Sequence, residues 1–351
     1  MAPSLFCHRT LLLVACLALT TAVRGESVYV VSQSSGKLMR FDTTDTSTTT
    51  IVTTLVSNLF QPSALAFGPD GKLYIAEWGD DDTIDPRISR YDIGTSQWSV
   101  VATLDPLAQF DPSAIAFRPT ALGGEMLVGR VAPPDSSGQG NIVSISGWNT
   151  GSPVVSQNDY NSGILLNGSA GLAVAADGTT YVSNARLIQQ VGFTIFAGTV
   201  ERLSPTGAYQ EQVIADGTVS GGLTGPAGLV LDGNTLFTGS VGNSTVFETN
   251  LGSMLTSSFG TAGGAYEVGP LAMLADGSIL AGSLTGSALI YRFFPDVSLA
   301  PRTYLNNDFG LVGGLAVAPV PEPGSLVLAA AAASLAWAAR RRWRPVGRQA
   351  P

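Results

Sequence analysis

The chain has 351 residues, 41 of them Gly, and only 13% are charged. Helix-favouring Lys and Glu are scarce beside Thr, Ser, Val and Gly, so short strands and tight turns are predicted rather than long amphipathic helices. Residues 26–319 hold 11 Lys/Arg against 25 Asp/Glu, a balance that repels phosphate backbones and argues against nucleic acid as a partner.

The first element reads as a secretory leader. His8-Arg9 precede an apolar core from Leu11 to Leu19, and Val23 and Gly25 fit the small positions before a cut at Glu26. A signal peptide over residues 1–25 follows, too short in its apolar core to span a bilayer. Leu13-Val14-Ala15-Cys16 offers a lipobox as the rival export signal, although the apolar run continues past Cys16. Both cysteines (Cys7, Cys16) and the one histidine (His8) lie in this segment. Its removal leaves no thiol and no imidazole. Disulfides, Cys or His metal ligation, and Ser-His-Asp or Cys-His catalysis are then excluded.

Residues 26–319 carry a repeat. Six segments begin with small or Pro residues and continue as an alternating apolar strand: Pro62–Phe67, Pro112–Phe117, Ala170–Val174, Ala227–Leu231, Pro270–Leu274 and Gly313–Val317. Four are followed by an Asp-Gly turn, at Asp70, Asp177, Asp232 and Asp276, and then by a second strand. Gly supplies the positive φ that such tight hairpins need. Third and fourth strands follow, as in Ile88–Asp92 and Trp98–Leu104. Four strands per unit, repeated every 42 to 57 residues, is the pattern of a propeller blade. Residues 27–56 supply strands two to four of a blade, and Gly313–Ala318 supply a lone first strand. The predicted fold is therefore all-β, a six-bladed β-propeller closed by N- and C-terminal strands of one shared blade. A β-sandwich or β-helix with chance self-similarity is the alternative. The repeat resembles NHL and SMP-30/gluconolactonase propellers over nearly all of residues 27–318, a likeness of fold that decides no function.

Within this domain Asp80, Asp81, Asp82 and Asp85 cluster in one loop. Carboxylates so grouped suit Ca²⁺, the only cofactor suggested, although EF-hand spacing is absent and a solvated acidic loop is the simpler reading. Glu77, Asn184 and Asn243 follow second strands, where lactonase-type propellers hold a divalent metal, but the Glu-Gly-Pro motif of that family is missing. Trp78, Trp98 and Trp148 could stack on sugars or pack internally. Residues 183–199 form an apolar insertion, read as a cap over one channel mouth or as an extra hairpin.

The last element begins at Val320-Pro321-Glu322-Pro323. An apolar stretch, residues 324–339, follows, and then the basic tail 340–351 with Arg340, Arg341, Arg342 and Arg344. The stretch is rich in Ala and Leu, so a transmembrane helix is predicted, with the arginines cytoplasmic. A plain tail anchor is one reading. The order of motif, helix and Arg cluster resembles the PEP-CTERM sorting signal. That resemblance implies processing by an exosortase-type membrane peptidase recognising Pro321, Glu322 and Pro323. It also implies a bacterial protein, first anchored in the inner membrane and then released to the cell surface or beyond. The extension from Pro345 to Pro351 departs from that family.

Together these features favour a non-enzymatic propeller that binds a matrix polymer, glycan or protein partner. A carboxylate enzyme of the lactonase or polysaccharide-cleaving kind and a purely structural envelope component are the alternatives.

Overall fold

A strand of five or six residues with both rows of side chains apolar must be covered on both faces. Val28-Tyr29-Val30-Val31 is such a run, and all four residues are buried. Full burial of each is worth about 1.5–3 kcal/mol.

The computed structural model describes residues 25–319 apart from 45–48, 80–83, 105–110, 120–123, 132–139, 157–159, 165, 191–192, 216–222 and 265–267. The chain divides into two units, Met1–Ala318 and Pro319–Pro351. The description that follows concerns the first. The predicted leader (residues 1–24 of it) and the predicted helix 324–339 lie outside the described residues.

The chain opens with β1 (Ser27–Ser32), β2 (Lys37–Asp42) and β3 (Thr53–Val56). Four complete antiparallel sheets come next. They are β4 (Pro62–Phe67), β5 (Leu73–Glu77), β6 (Arg87–Asp92) and β7 (Gln97–Thr103); then β8 (Asp111–Phe117), β9 (Met126–Val131), β10 (Asn141–Ser146) and β11 (Val154–Val155). The third is β12 (Ser169–Val174), β13 (Thr180–Gln190), β14 (Phe193–Leu203) and β15 (Tyr209–Ile214), and the fourth is β16 (Pro226–Asp232), β17 (Thr235–Ser240), β18 (Thr245–Asn250) and β19 (Leu255–Thr261). A fifth follows with β20 (Leu271–Met273), β21 (Ile279–Gly282), β22 (Leu289–Phe293) and β23 (Arg302–Leu305). The last strand, β24 (Val312–Val317), pairs antiparallel with β1, giving a sixth sheet in the order β24-β1-β2-β3.

Alternation sends the two faces of each sheet to two neighbours. Val28 and Val30 of β1 pack with Leu280 and Ile290, whereas Tyr29 and Val31 pack with Leu65 and Ile75. Four further clusters join the remaining neighbours in turn. Trp148 lies in one of them, edge-on to Tyr74 and Phe117. Residues 183–199 are the continuation of β13 and β14, with Ala185 opposite Gly198 and Gln190 opposite Phe193.

One end of the sheets carries the turns from first to second and from third to fourth strands. Side-chain oxygens fix these turns. Asp177 and Asp276 accept the backbone N–H two residues on, at 2.9 Å each. Asp92 accepts from Gly94 and Thr95, and Asn250 from Gly252 and Ser253. These are Asx turns, which Asp and Asn make because their short side chains reach the backbone ahead. The chain also enters and leaves the sheets on this turn face, where Ala318 N–H donates to Ser27 O at 3.0 Å.

Candidate functional site: the central channel and its far mouth

The first strands of the six sheets surround the axis and leave a cavity of about 390 Å³. Its wall includes Ala64, Ile115, Leu172, Leu229, Leu271 and Leu315. No Asp, Glu, Lys, Arg or His lines it among the described residues. Neighbouring inner strands approach so closely that small residues are obligatory. A Cβ at Gly313 would stand 2.0 Å from the Pro62 carbonyl oxygen. This contact explains the Pro-Ser-Ala and Gly-Gly-Leu openings of the repeats.

Polar latches join neighbouring sheets around the axis. Ser63 Oγ donates to Pro112 O, Ser113 Oγ to Ser169 O at 2.8 Å, and Ser183 Oγ to Ala227 O at 2.8 Å. Gly228 N–H donates to Gly269 O at 3.1 Å. In five sheets the register shifts at the start of the inner strand. Such bulges bend a strand and turn its backbone out of the ladder.

Opposite the start of each of those strands stands a buried polar residue of the second strand: Ser32, Glu77, Arg130, Asn184 and Ser240. Three of them do the same work. Glu77 Oε2 accepts the Phe60 N–H at 2.9 Å, Asn184 Oδ1 the Asn167 N–H at 2.7 Å, and Ser240 Oγ the Thr224 N–H at 2.9 Å. Each donor lies two residues before its inner strand. Glu77 is fully buried and is also held by Arg87, through Nε at 3.2 Å and a terminal nitrogen at 2.9 Å, and by the Ser89 hydroxyl. Arg87 in turn lies 5.1 Å from the Phe60 ring and 5.3 Å from the Trp98 ring. The Glu77 lone pairs are thus committed to protein donors. Asn243, paired with Glu77 and Asn184 in the sequence reading, sits in the turn between β17 and β18. The position matching Glu77 there is Ser240.

The residues that follow this polar row reach the channel mouth. Gln33, Trp78, Val131 and Leu284 line it. Trp78 Nε1 donates to Pro112 O at 2.9 Å, which fixes the indole there. Of the three tryptophans singled out, Trp78 alone lines the channel, since Trp148 is in the core and Trp98 on the outer strand β7. The four mouth residues share one signal in the sequence. Each stands directly after a polar residue at or next to the end of a second strand (Ser32, Glu77, Arg130, Ser283), and aligning the repeats on second strands would have found Gln33, Val131 and Leu284.

Three successive sheets carry long second-to-third excursions beyond the polar row: residues 78–86, 132–140 and 185–198. The other three connect through residues 33–36, 241–244 and 283–288. Asp85 is exposed on the first excursion. Asp80, Asp81 and Asp82 lie outside the described residues. Among the described residues no group of three or more His, Cys, Asp or Glu side chains could hold a metal ion.

One further buried acid lies away from the channel. Glu201 on β14 accepts the Thr199 hydroxyl at Oε1, while its Oε2 has no hydrogen-bond partner among the described residues. Burial pushes its carboxyl above the ordinary range, against the opposing pull of the Thr199 and Asn184 side chains.

Residues 319–342 match the PEP-CTERM protein-sorting motif, which implies export and sorting at a membrane. The chain therefore carries that motif directly after Ala318 in the sequence. Among the described residues no helix is long and apolar enough to cross a membrane. No curated protein matches the chain. Among solved structures, a chain of the nidogen/laminin complex is 14% identical with a TM-score of 0.61, over 84% of this chain and 98% of that one. TolB from Acinetobacter baumannii is 17% identical with a TM-score of 0.57, over 84% of this chain and 67% of that one. At such identities the likeness shows the fold alone: the described residues form an all-β, six-bladed β-propeller.

Proposed function

We propose that this chain is an exported propeller, sorted to the cell surface, that binds an extracellular matrix polymer, glycan or protein partner at the mouth of Gln33, Trp78, Val131 and Leu284. The observation that carries this reading is the make-up of that mouth. Its described lining residues are uncharged, and it holds a fixed indole. Loops on a rigid scaffold are where binding residues gather, and an indole offers a flat apolar face to a sugar ring or an apolar side chain.

The sorting motif supplies the address. An exosortase-type peptidase would act at Pro321-Glu322-Pro323, with helix 324–339 and the arginines after it holding the chain in the inner membrane until then. The pairing of β24 with β1 would close the ring by one shared blade. A lactonase-like enzyme finds less support, because the carboxylate best placed to hold a metal, Glu77, is taken up by Arg87, Ser89 and Phe60. We read the Asp80–Asp82 and Asp85 loop as solvated. Millimolar Ca²⁺ should then leave the melting temperature unchanged, and a rise would make the loop a Ca²⁺ site.

The test is binding of the full chain in detergent to extracellular polysaccharide and envelope protein fractions of its host. Retention that Trp78→Ala weakens tenfold or more supports this mouth. Retention that Trp78→Ala leaves intact moves the ligand elsewhere, and turnover of the polymer would favour an enzyme.

A further inference from the structure

Glu26 is tied into the fold more tightly than a chain end usually is. Its backbone N–H donates to Thr43 Oγ1 at 2.9 Å, and its carbonyl accepts the Thr43 N–H at 3.1 Å. Its Oε1 accepts the N–H of Ala275, from the neighbouring blade, at 2.9 Å. The Asp42 carboxylate lies directly against Gly25: a Cβ placed there would stand 1.7 Å from Asp42 Oδ1. Asp42 itself is steadied by Thr44, whose N–H and hydroxyl donate to Oδ1 at 2.8 and 2.7 Å.

We propose that hydrolysis of the Gly25–Glu26 bond creates an α-ammonium seated on Thr43 Oγ1 and beside the Asp42 carboxylate, so that the new N-terminus becomes part of the blade formed by β24 and β1–β3. The proposal rests on the exported reading above. A leader peptidase adds water across the amide. The Gly25 carboxylate departs with the leader, and the Glu26 nitrogen takes up protons to become an ammonium. In the folded propeller both backbone groups of Glu26 are engaged. A peptidase needs the chain extended, so the cut precedes docking of β1, and the sheet forms only afterwards.

The charged and titratable groups around this nitrogen among the described residues are few. Asp42 and Arg40 of β2 share a surface cleft with Ser27. From β23, the Arg302 guanidinium and the Tyr304 hydroxyl reach Thr43 O at 3.5 and 3.2 Å. The Glu26 carboxylate is the next, and on the neighbouring blade Asp276, which follows the Ala275 that Glu26 binds, is paired with Arg292. Arg40 and Arg302 oppose the new charge, and Asp42, against Gly25, is the group placed to hold it.

An α-amine has an ordinary pKa of roughly 7.7–8.0. A carboxylate partner raises it in the folded state, so the added stability is complete below about pH 8 and lost as pH rises through the folded value. The experiment is intact mass and thermal unfolding of the processed protein, with Asp42→Asn and Thr43→Val, at pH 7 and pH 10. The expected result is a chain beginning at Glu26 whose melting temperature Asp42→Asn lowers by about 2 °C at pH 7 but not at pH 10. A loss of the same size at both pH values, in Asp42→Asn and in Thr43→Val, would show a turn cap only and overturn the seat while leaving export intact. A processed chain beginning elsewhere overturns the cut, and a chain with the leader retained overturns the exported reading with it.

Discussion

The two faces of the propeller are built on different principles. On the turn face most connections are short, and an Asp, Asn or Ser oxygen caps the backbone ahead of it, as at Asp92, Asp177, Ser204, Asn250 and Asp276. On the far face three successive blades depart from the short form, and the described residues that line the channel mouth are uncharged. The first face is specified by local chemistry, one turn at a time. The second is held by side chains that reach across strands, such as Glu77 to Phe60 and Trp78 to Pro112. The far face thus depends on a few long-range contacts and the turn face on many local ones.

That contrast can be broken most strongly at Glu77. Replacing it by Ala leaves the part-buried Arg87 guanidinium and Phe60 N–H without their partner, at a cost of about 3 kcal/mol, the low end for a buried pair. Chemical unfolding should show this loss, while Ser240→Ala, which removes a neutral acceptor at the matching position, should cost only about 1 kcal/mol. Equal effects would mean that the polar row does not act through the charged pair.

The turn face should respond to acid instead. The Lys72 ammonium, and then the Thr95 N–H, hold the Asp92 carboxyl below the ordinary range; the Thr179 N–H and hydroxyl do so for Asp177. Burial pushes Asp276 up, but Ser278 and Arg292 outweigh it and leave its carboxyl low. A lowered folded pKa contributes stability above the unfolded value, near 3.9, and loses it as pH falls through the folded one. Melting temperature should therefore drop below about pH 4, and Asp177→Asn should flatten that drop.

Glu201 should respond with the opposite sign. Its raised carboxyl favours the folded state while protonated, below its unfolded value, and that stability is lost as pH rises through the folded one. Glu201→Gln should raise the melting temperature at pH 7 and change little near pH 4 in a thermal scan. Trp78→Ala removes a half-buried indole and the hydrogen bond it donates to Pro112 O, and should cost most of the ligand binding.

The turn face was legible in the sequence. The Asp-Gly turns and the alternating strands after Pro62, Pro112, Ala227 and Gly313 are local signals, and the strands stand where those signals put them. The far face was legible only in part. In the sequence Glu77 is compatible with a metal site, and only the structure shows Arg87 and Ser89, on the strand across from it, holding both oxygens. The sequence leaves Trp148 open between stacking on sugars and internal packing, and the structure packs it against Tyr74 and Phe117. Residues 183–199 read equally as cap or hairpin, because an apolar run does not declare its pairing register.

The most direct test of surface sorting is the intact mass of the native protein from membrane and extracellular fractions of its host. The predicted result is a membrane form beginning at Glu26 with Arg340–Arg344 still attached, together with an extracellular form that ends near Pro321–Pro323. A single membrane form carrying the basic tail, with nothing outside the cell, would contradict release and leave a tail-anchored propeller instead.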